Sequence, residues 1–193
     1  KIINDFLKFE IIMERDEKKD FIRYSTKVAL LSGIGLMLQN IDKIMISLML
    51  DLSSVGIYKV AINYISLISI FVTPFIAFWP VISKYYYENK IKQIEVEMKK
   101  IVKITTNLSI PMFFIFLFKS KELMSIFGKS YSTNEAEIVL MILAFSFLID
   151  AISGPIGAIL TMTKYVNYNL YNNILSIVIN IVLNYILVQK LGI

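Results

Sequence analysis

Residues 40–66 read NIDKIMISLMLDLSSVGIYKVAINYIS. Two apolar runs flank a short polar turn, DLSSVG, at residues 51–56. This is the pattern of two membrane helices folded back on each other, except that Asp42, Lys43 and Lys59 put full charges in or beside the spans. A charge at the centre of a bilayer costs about 2.5–3.5 kcal/mol on insertion scales, and it persists where it is paired or wet. Something in the rest of the chain must therefore pair or wet these groups.

The whole chain supports a membrane reading. Of its 193 residues, 56% are hydrophobic and only 18% charged, with a mean hydropathy of +0.66. So much apolar surface does not fit inside one small soluble core. There is no cysteine and no histidine, which removes disulfides, thiol nucleophiles, Cys/His zinc sites and the commonest general base. No glycine pattern forms a nucleotide-binding loop. No cofactor is expected. The net charge of +5 comes from lysines beside apolar spans, so membrane flanks explain it better than nucleic acid does. The chain opens on Lys1 and reads as a fragment of something longer.

The expected architecture is all-α, a polytopic membrane helix bundle. Five spans are predicted, at about Tyr24–Leu50, Ile57–Ile82, Ile101–Phe118, Ile138–Met162 and Tyr171–Val188. Residues 1–23 are too charged to cross and read as a cytoplasmic juxtamembrane segment, with Ile2, Phe6, Phe9 and Met13 at helical spacing for a surface-lying helix. Residues 24–193 then form the membrane domain. Tyr87, Ile91, Ile94, Met98 and Ile101 make a second amphipathic stripe, an interfacial lead-in to the third span. Fourteen basic residues fall in 1–27, 84–103 and at Lys164, against four (Lys119, Lys121, Lys129, Lys190) on the opposite side. The richer side is expected to be cytoplasmic, with Trp79, Tyr85–Tyr87, Tyr165, Tyr168 and Tyr171 as its aromatic belt. Pro74, Pro80, Pro111 and Pro155 lie in or near spans and predict kinks.

Four spans carry polar stripes. Ser32, Gly35, Gln39, Asp42 and Lys43 share about 100° of the first helix. Lys59, Asn63, Ser66 and Thr73 share a face of the second; Ser146, Asp150, Ser153, Gly157 and Thr161 one of the fourth; Asn169, Asn173, Ser176, Asn180 and Asn184 one of the fifth. Small and hydroxyl residues can simply pack helices together. Asp42, Lys43 and Asp150 need more, and a hydrated lining for substrate or ion is the expectation, with a buried structural pair as the alternative. Lys59, nearer the outer surface, either snorkels or pairs with Asp42 across the turn. Asp42, Asn63, Asp150 and Asn180 are expected to converge on one cleft.

The order of these features resembles a known family. The segment NIDKIMISLMLDLSSVGIYKVA, with its intramembrane Asp42 and then Val55-Gly56-Ile57-Tyr58, resembles the seventh-to-eighth helix hairpin of lipid-linked oligosaccharide flippases. These are the O-antigen (Wzx-like) branch of the multidrug/oligosaccharidyl-lipid/polysaccharide exporter superfamily. WPVISKYYYENKI is similar to the end of the eighth helix, with Pro80 as the recurrent proline. IPMFFIFLFKSKELMSIFGKSY, with Phe127-Gly128 and Tyr131, is similar to the ninth helix and its loop. NILSIVINIVLNYILVQKLGI, with Asn180 and Asn184, is similar to the eleventh. The pattern departs at Thr26-Lys27, where many relatives have a proline.

The resemblance implies about five helices of the second lobe of a two-lobe flippase in the cytoplasmic membrane. It implies movement of undecaprenyl-pyrophosphate-linked oligosaccharide from the inner to the outer leaflet by alternating access. Lys43 and Lys59 would then meet phosphate as ammonium point charges. Asn173, Asn180 and Asn184, with Asn63 beside them, would meet sugar hydroxyls, and Asp42 or Asp150 a coupling Na⁺ or H⁺. A cation-coupled multidrug antiporter or a peptidoglycan-precursor flippase would share this fold. A membrane glycosyltransferase or polymerase would need a carboxylate pair or metal ligands on an aqueous loop. The longest outer loop has Glu122, Glu135 and Glu137 without histidine or D-x-D, so an enzyme is not expected.

Overall fold

The computed structural model describes residues 15–72, 76 and 78–191, and among them all regular structure is helical. The helices are α1 (Arg15–Met49), α2 (Leu52–Val72), α3 (Trp79–Tyr87), α4 (Ile91–Ser125), α5 (Asn134–Ser153), α6 (Ile156–Thr161) and α7 (Val166–Leu191), with a 3₁₀ turn at Lys129–Tyr131. The expected surface helix of Ile2, Phe6, Phe9 and Met13 lies outside the described residues, as do Thr73 and Pro74.

Four of these helices, α1, α4, α5 and α7, are long and apolar enough to cross a membrane. The remaining expected span, the second, is present as α2, whose 21 residues reach about 31 Å at 1.5 Å per residue, roughly one hydrocarbon thickness. The second and fourth spans are shorter than expected because each is divided. The stretch 57–82 is split between α2 and α3, and Pro80 sits in the first turn of α3, where its missing N–H costs nothing. The stretch 138–162 breaks at Gly154, whose φ of 73° and ψ of 179° end α5, and α6 starts after Pro155. The lead-in stripe runs on into the third span from Ile91, while Tyr87 ends α3 before the turn. α4 extends from Ile91 to Ser125, with Ile94 and Ile101 buried. Its one non-helical residue is Lys119 (φ −125°, ψ 17°), eight residues beyond Pro111.

α4 packs along α5 and α1 along α7, and α2 joins the two pairs by touching α1, α4 and α5. The core lies where α2, α4 and α5 meet: Val60, Ala61, Phe116, Met124, Ala136, Val139, Leu140 and Ala144. Three alanines in this set let the helix backbones come close, the usual device where lipid offers no hydrophobic drive. The outer surface is apolar instead: Leu48 is 80% exposed and Phe118 71%, which suits acyl chains and not water.

Polar ties fix the two ends. At one end the Tyr24 hydroxyl donates to the Thr161 carbonyl (2.8 Å), and Asn169 Nδ2 donates to Thr161 Oγ1 (2.8 Å) and the Gly157 carbonyl (3.2 Å). The lysine-rich start of α4 and the Gly154 break lie here too, with Gly154 against Val102. At the other end the Tyr64 hydroxyl donates to the Leu123 carbonyl (2.5 Å), just past the Lys119 distortion. Tyr64→Phe should cost about 1 kcal/mol, the worth of one such bond. A lowered thermal midpoint of the detergent-solubilised protein, with its helical content unchanged, is the expected reading.

Candidate functional site: a carboxylate cleft around Asp42

Asp42 sits on α1, half-buried, where α1 meets α2 and α7. Its two carboxylate oxygens accept three hydrogen bonds. The Tyr58 hydroxyl of α2 donates to Oδ2 (2.7 Å), and Asn180 Nδ2 (2.9 Å) and Asn184 Nδ2 (2.7 Å) of α7 both donate to Oδ1. Asn184 Nδ2 also reaches Asn180 Oδ1 (3.1 Å), so the two amides, one turn apart, act as a unit. All three donors are neutral. The negative charge is therefore solvated by dipoles drawn from two other helices and forms no ion pair among the described residues.

The sequence expectation that Lys59 pairs with Asp42 is not met. Lys59 is exposed and forms no ion pair among the described residues; its neighbour Tyr58 takes the place. Adjacent helix positions point about 100° apart, so a one-residue error in aim exchanges a lysine for a tyrosine. Tyr58 was the residue missed, and a signal for it existed. Positions 42 and 58 stand eight residues either side of Leu50, at the turn of an antiparallel hairpin. Lys43 also points away from Asp42, and its Nζ donates to Asn40 Oδ1 (2.9 Å) one turn back on the same helix.

Asp42, Tyr58, Asn180 and Asn184 line a cleft of about 550 Å³. Ile46, Ile57, Val139 and Leu143 form its apolar walls, and Asp51, Ser53, Ser54, Ser130, Thr133 and Glu135 line it where the helices turn. Asp51 lies nine residues beyond Asp42, so the carboxylate is about 14 Å below that mouth by helical rise. The backbone N–H of Ser54 donates to Asp51 Oδ1 (2.7 Å) and holds this carboxyl below its usual range. Among the described side chains no lysine or arginine lines the cleft, while three carboxylates do. Gly56 packs near the 3₁₀ turn that carries Ser130: a Cβ there would stand 3.6 Å from the Tyr131 hydroxyl, an ordinary contact.

The single cleft expected for all the polar stripes is not formed. Asp42 and Asn180 share it, whereas Asn63 and Asp150 are exposed and do not line it. Asn173 on α7 and Lys43 on α1 are half-buried and Lys59 on α2 is exposed, all three outside the cleft. Among the described residues no group of three or more His, Cys, Asp or Glu side chains could hold a metal ion. What Asp42 offers with Tyr58, Asn180 and Asn184 is a set of carboxylate, hydroxyl and amide oxygens, the donors that hard cations take.

A lipid-facing helical bundle with a charged cleft inside it defines a multi-pass membrane protein. The MatE family model matches residues 29–186, and the chain belongs to the MatE family. It is also similar to "Probable low-salt glycan biosynthesis flippase Agl15" of Haloferax volcanii, at 29% identity over 178 residues. That match takes in 91% of this chain and 37% of the relative, so the chain spans little more than a third of the relative's length. No solved structure matches the chain.

Proposed function

We propose that this chain is the greater part of the second lobe of a flippase that moves undecaprenyl-pyrophosphate-linked oligosaccharide across the cytoplasmic membrane, with residues 1–23 on the cytoplasmic side. MatE membership and the glycan-flippase relative support this reading. The observation that carries the mechanism is the Asp42 cluster: one carboxylate outside any ion pair among the described residues, tied to three helices, at the base of a cleft.

The two asparagine amides aim their N–H groups at Asp42. A bound Na⁺ needs oxygens, and a half-turn of each amide supplies Asn180 Oδ1 and Asn184 Oδ1 in their place. A proton on Asp42 would likewise replace an N–H···O⁻ contact by an O–H donor. Either event changes how α7 is held against α1 and α2, which is what a coupling site must do to bias one of two arrangements of the lobes. Asp150, Asn63, Asn173, Lys43 and Lys59 face away from this cleft and are assigned to the substrate's polar head: the lysines to phosphate, the asparagines to sugar hydroxyls.

A second reading, a cation-coupled drug antiporter, is favoured by one feature, the acidic lining of the cleft by Asp42, Asp51 and Glu135. Expression of the full-length protein in a flippase-deficient strain separates the two. Restored surface glycan is expected. Cation-dependent drug efflux without glycan rescue would select the antiporter. The assigned orientation has its own check: single cysteines at Lys92 and Lys121, probed in intact cells with an impermeant thiol reagent, should label only at position 121. Labelling at 92 alone would invert the topology.

A further inference from the structure

A second groove lies at the opposite end of the bundle, where the basic residues collect. It has a volume of about 580 Å³ between α4 and the end of α5, and Lys99, Lys103, Thr106, Asn107 and Ser153 line it together with Glu95. Its shape depends on Gly154. There α5 stops against α4 so closely that an added Cβ would stand 2.5 Å from Val102 Cγ2, and Val102 and Met98 form the groove's apolar floor.

The depth of the groove is fixed by sequence. Lys103 is the last charge before 15 uncharged residues, 104–118. On a membrane-crossing helix that puts its ammonium at the level of the lipid phosphates. Lys99 and Lys103 are one turn apart on one face, and like charges so placed repel. Lys99 is engaged by Glu95 (2.6 Å), which is held below its usual carboxyl range by that lysine. Lys103 has no carboxylate partner among the described residues, and the Asn107 side-chain amide, one turn deeper, has no hydrogen bond there. An ammonium and an amide, both unengaged, therefore face one groove; the hydroxyls of Thr106 and Ser153 at its side already donate to the Ala151 and Ile149 carbonyls. That donor set suits a phosphate oxygen, and charge-assisted bonds of this kind are the strong ones.

We infer that this groove binds a lipid phosphate at the basic membrane surface, with Lys103 as the principal contact and Asn107 as the second. The phosphate is either the pyrophosphate of a polyprenyl-linked substrate or the headgroup of an anionic phospholipid. The inference does not require the Asp42 cluster to couple transport.

The test uses the full-length protein in phosphatidylcholine nanodiscs, titrated with a polyprenyl pyrophosphate or with phosphatidylglycerol and read by native mass spectrometry. Lys103→Gln should weaken binding about tenfold, the loss of one charge-assisted contact. Lys92→Gln, on the same helix outside the groove, and Asp42→Asn should leave it unchanged. Loss confined to the pyrophosphate lipid assigns the groove to substrate, and equal loss of both lipids assigns it to headgroups; both outcomes support the inference. Should Lys103→Gln fail to accumulate, Asn107→Leu reads the same groove with a several-fold loss expected. Unchanged binding in the folded groove variants, or an equal drop with Lys92→Gln, overturns it.

Discussion

Full-length protein carrying Asp42→Asn is expected to accumulate normally and to transport nothing. The substitution keeps the size of the side chain and an oxygen for the Tyr58 hydroxyl (2.7 Å in the native protein). One of the contacts from Asn180 and Asn184 is lost or inverted, at about 1 kcal/mol. That is too little to clear the protein from the membrane. The loss in cation binding is much larger, because the full charge at the base of the cleft is gone. Removing one partner of a desolvated ion pair costs about 3–5 kcal/mol, or roughly 10²–10⁴-fold in affinity. Loss of the protein itself would instead make Asp42 a structural residue, holding α7 to the α1–α2 hairpin.

The largest stability effect is expected at Gly154. Its φ of 73° and ψ of 179° fall in a region that essentially only glycine occupies. A methyl group would also be driven to 2.5 Å from Val102 Cγ2, a packed side chain on the neighbouring helix. Strain of about 1–3 kcal/mol and overpacking of about 1–3 kcal/mol are separate terms, so Gly154→Ala should cost about 2–6 kcal/mol. Thermal unfolding in detergent reads the total. Adding Val102→Ala relieves the collision and leaves the backbone strain, so the double variant should recover only part of the loss. Full recovery would show that space alone matters. No recovery would put the whole effect in the backbone.

These two positions also show how far the sequence can be read. Asp42 stands out because a carboxylate in an apolar run has to be satisfied, and Asn180 with Asn184 because two amides at i and i+4 share one helix face. Their meeting is a tertiary fact, produced by α7 packing along α1. Lys59 was the chemically obvious partner, but direction on a helix decides over charge, and Tyr58 is the side chain that faces Asp42. The helices themselves were legible from hydropathy. Their breaks were less so: a composition window passes over Gly154 and Pro155 because Ile156–Thr161 is apolar again. The start of α4, by contrast, was legible as a lead-in: behind its lysine and glutamate pairs the helix continues straight into the span. Asn63 and Asp150 read as cleft residues because their stripes look alike, and periodicity says which face is polar without saying what that face meets.

The central claim is that the Asp42 cluster couples a cation to transport, and flipping of a fluorescent polyprenyl-pyrophosphate glycan in proteoliposomes tests it most directly. Wild-type and Asp42→Asn proteins would each be measured with and without a Na⁺ or proton gradient. Wild type should flip the lipid faster when the gradient is imposed, and Asp42→Asn should stay at the protein-free background in both conditions. Gradient-stimulated flipping by Asp42→Asn at the wild-type rate would contradict the account.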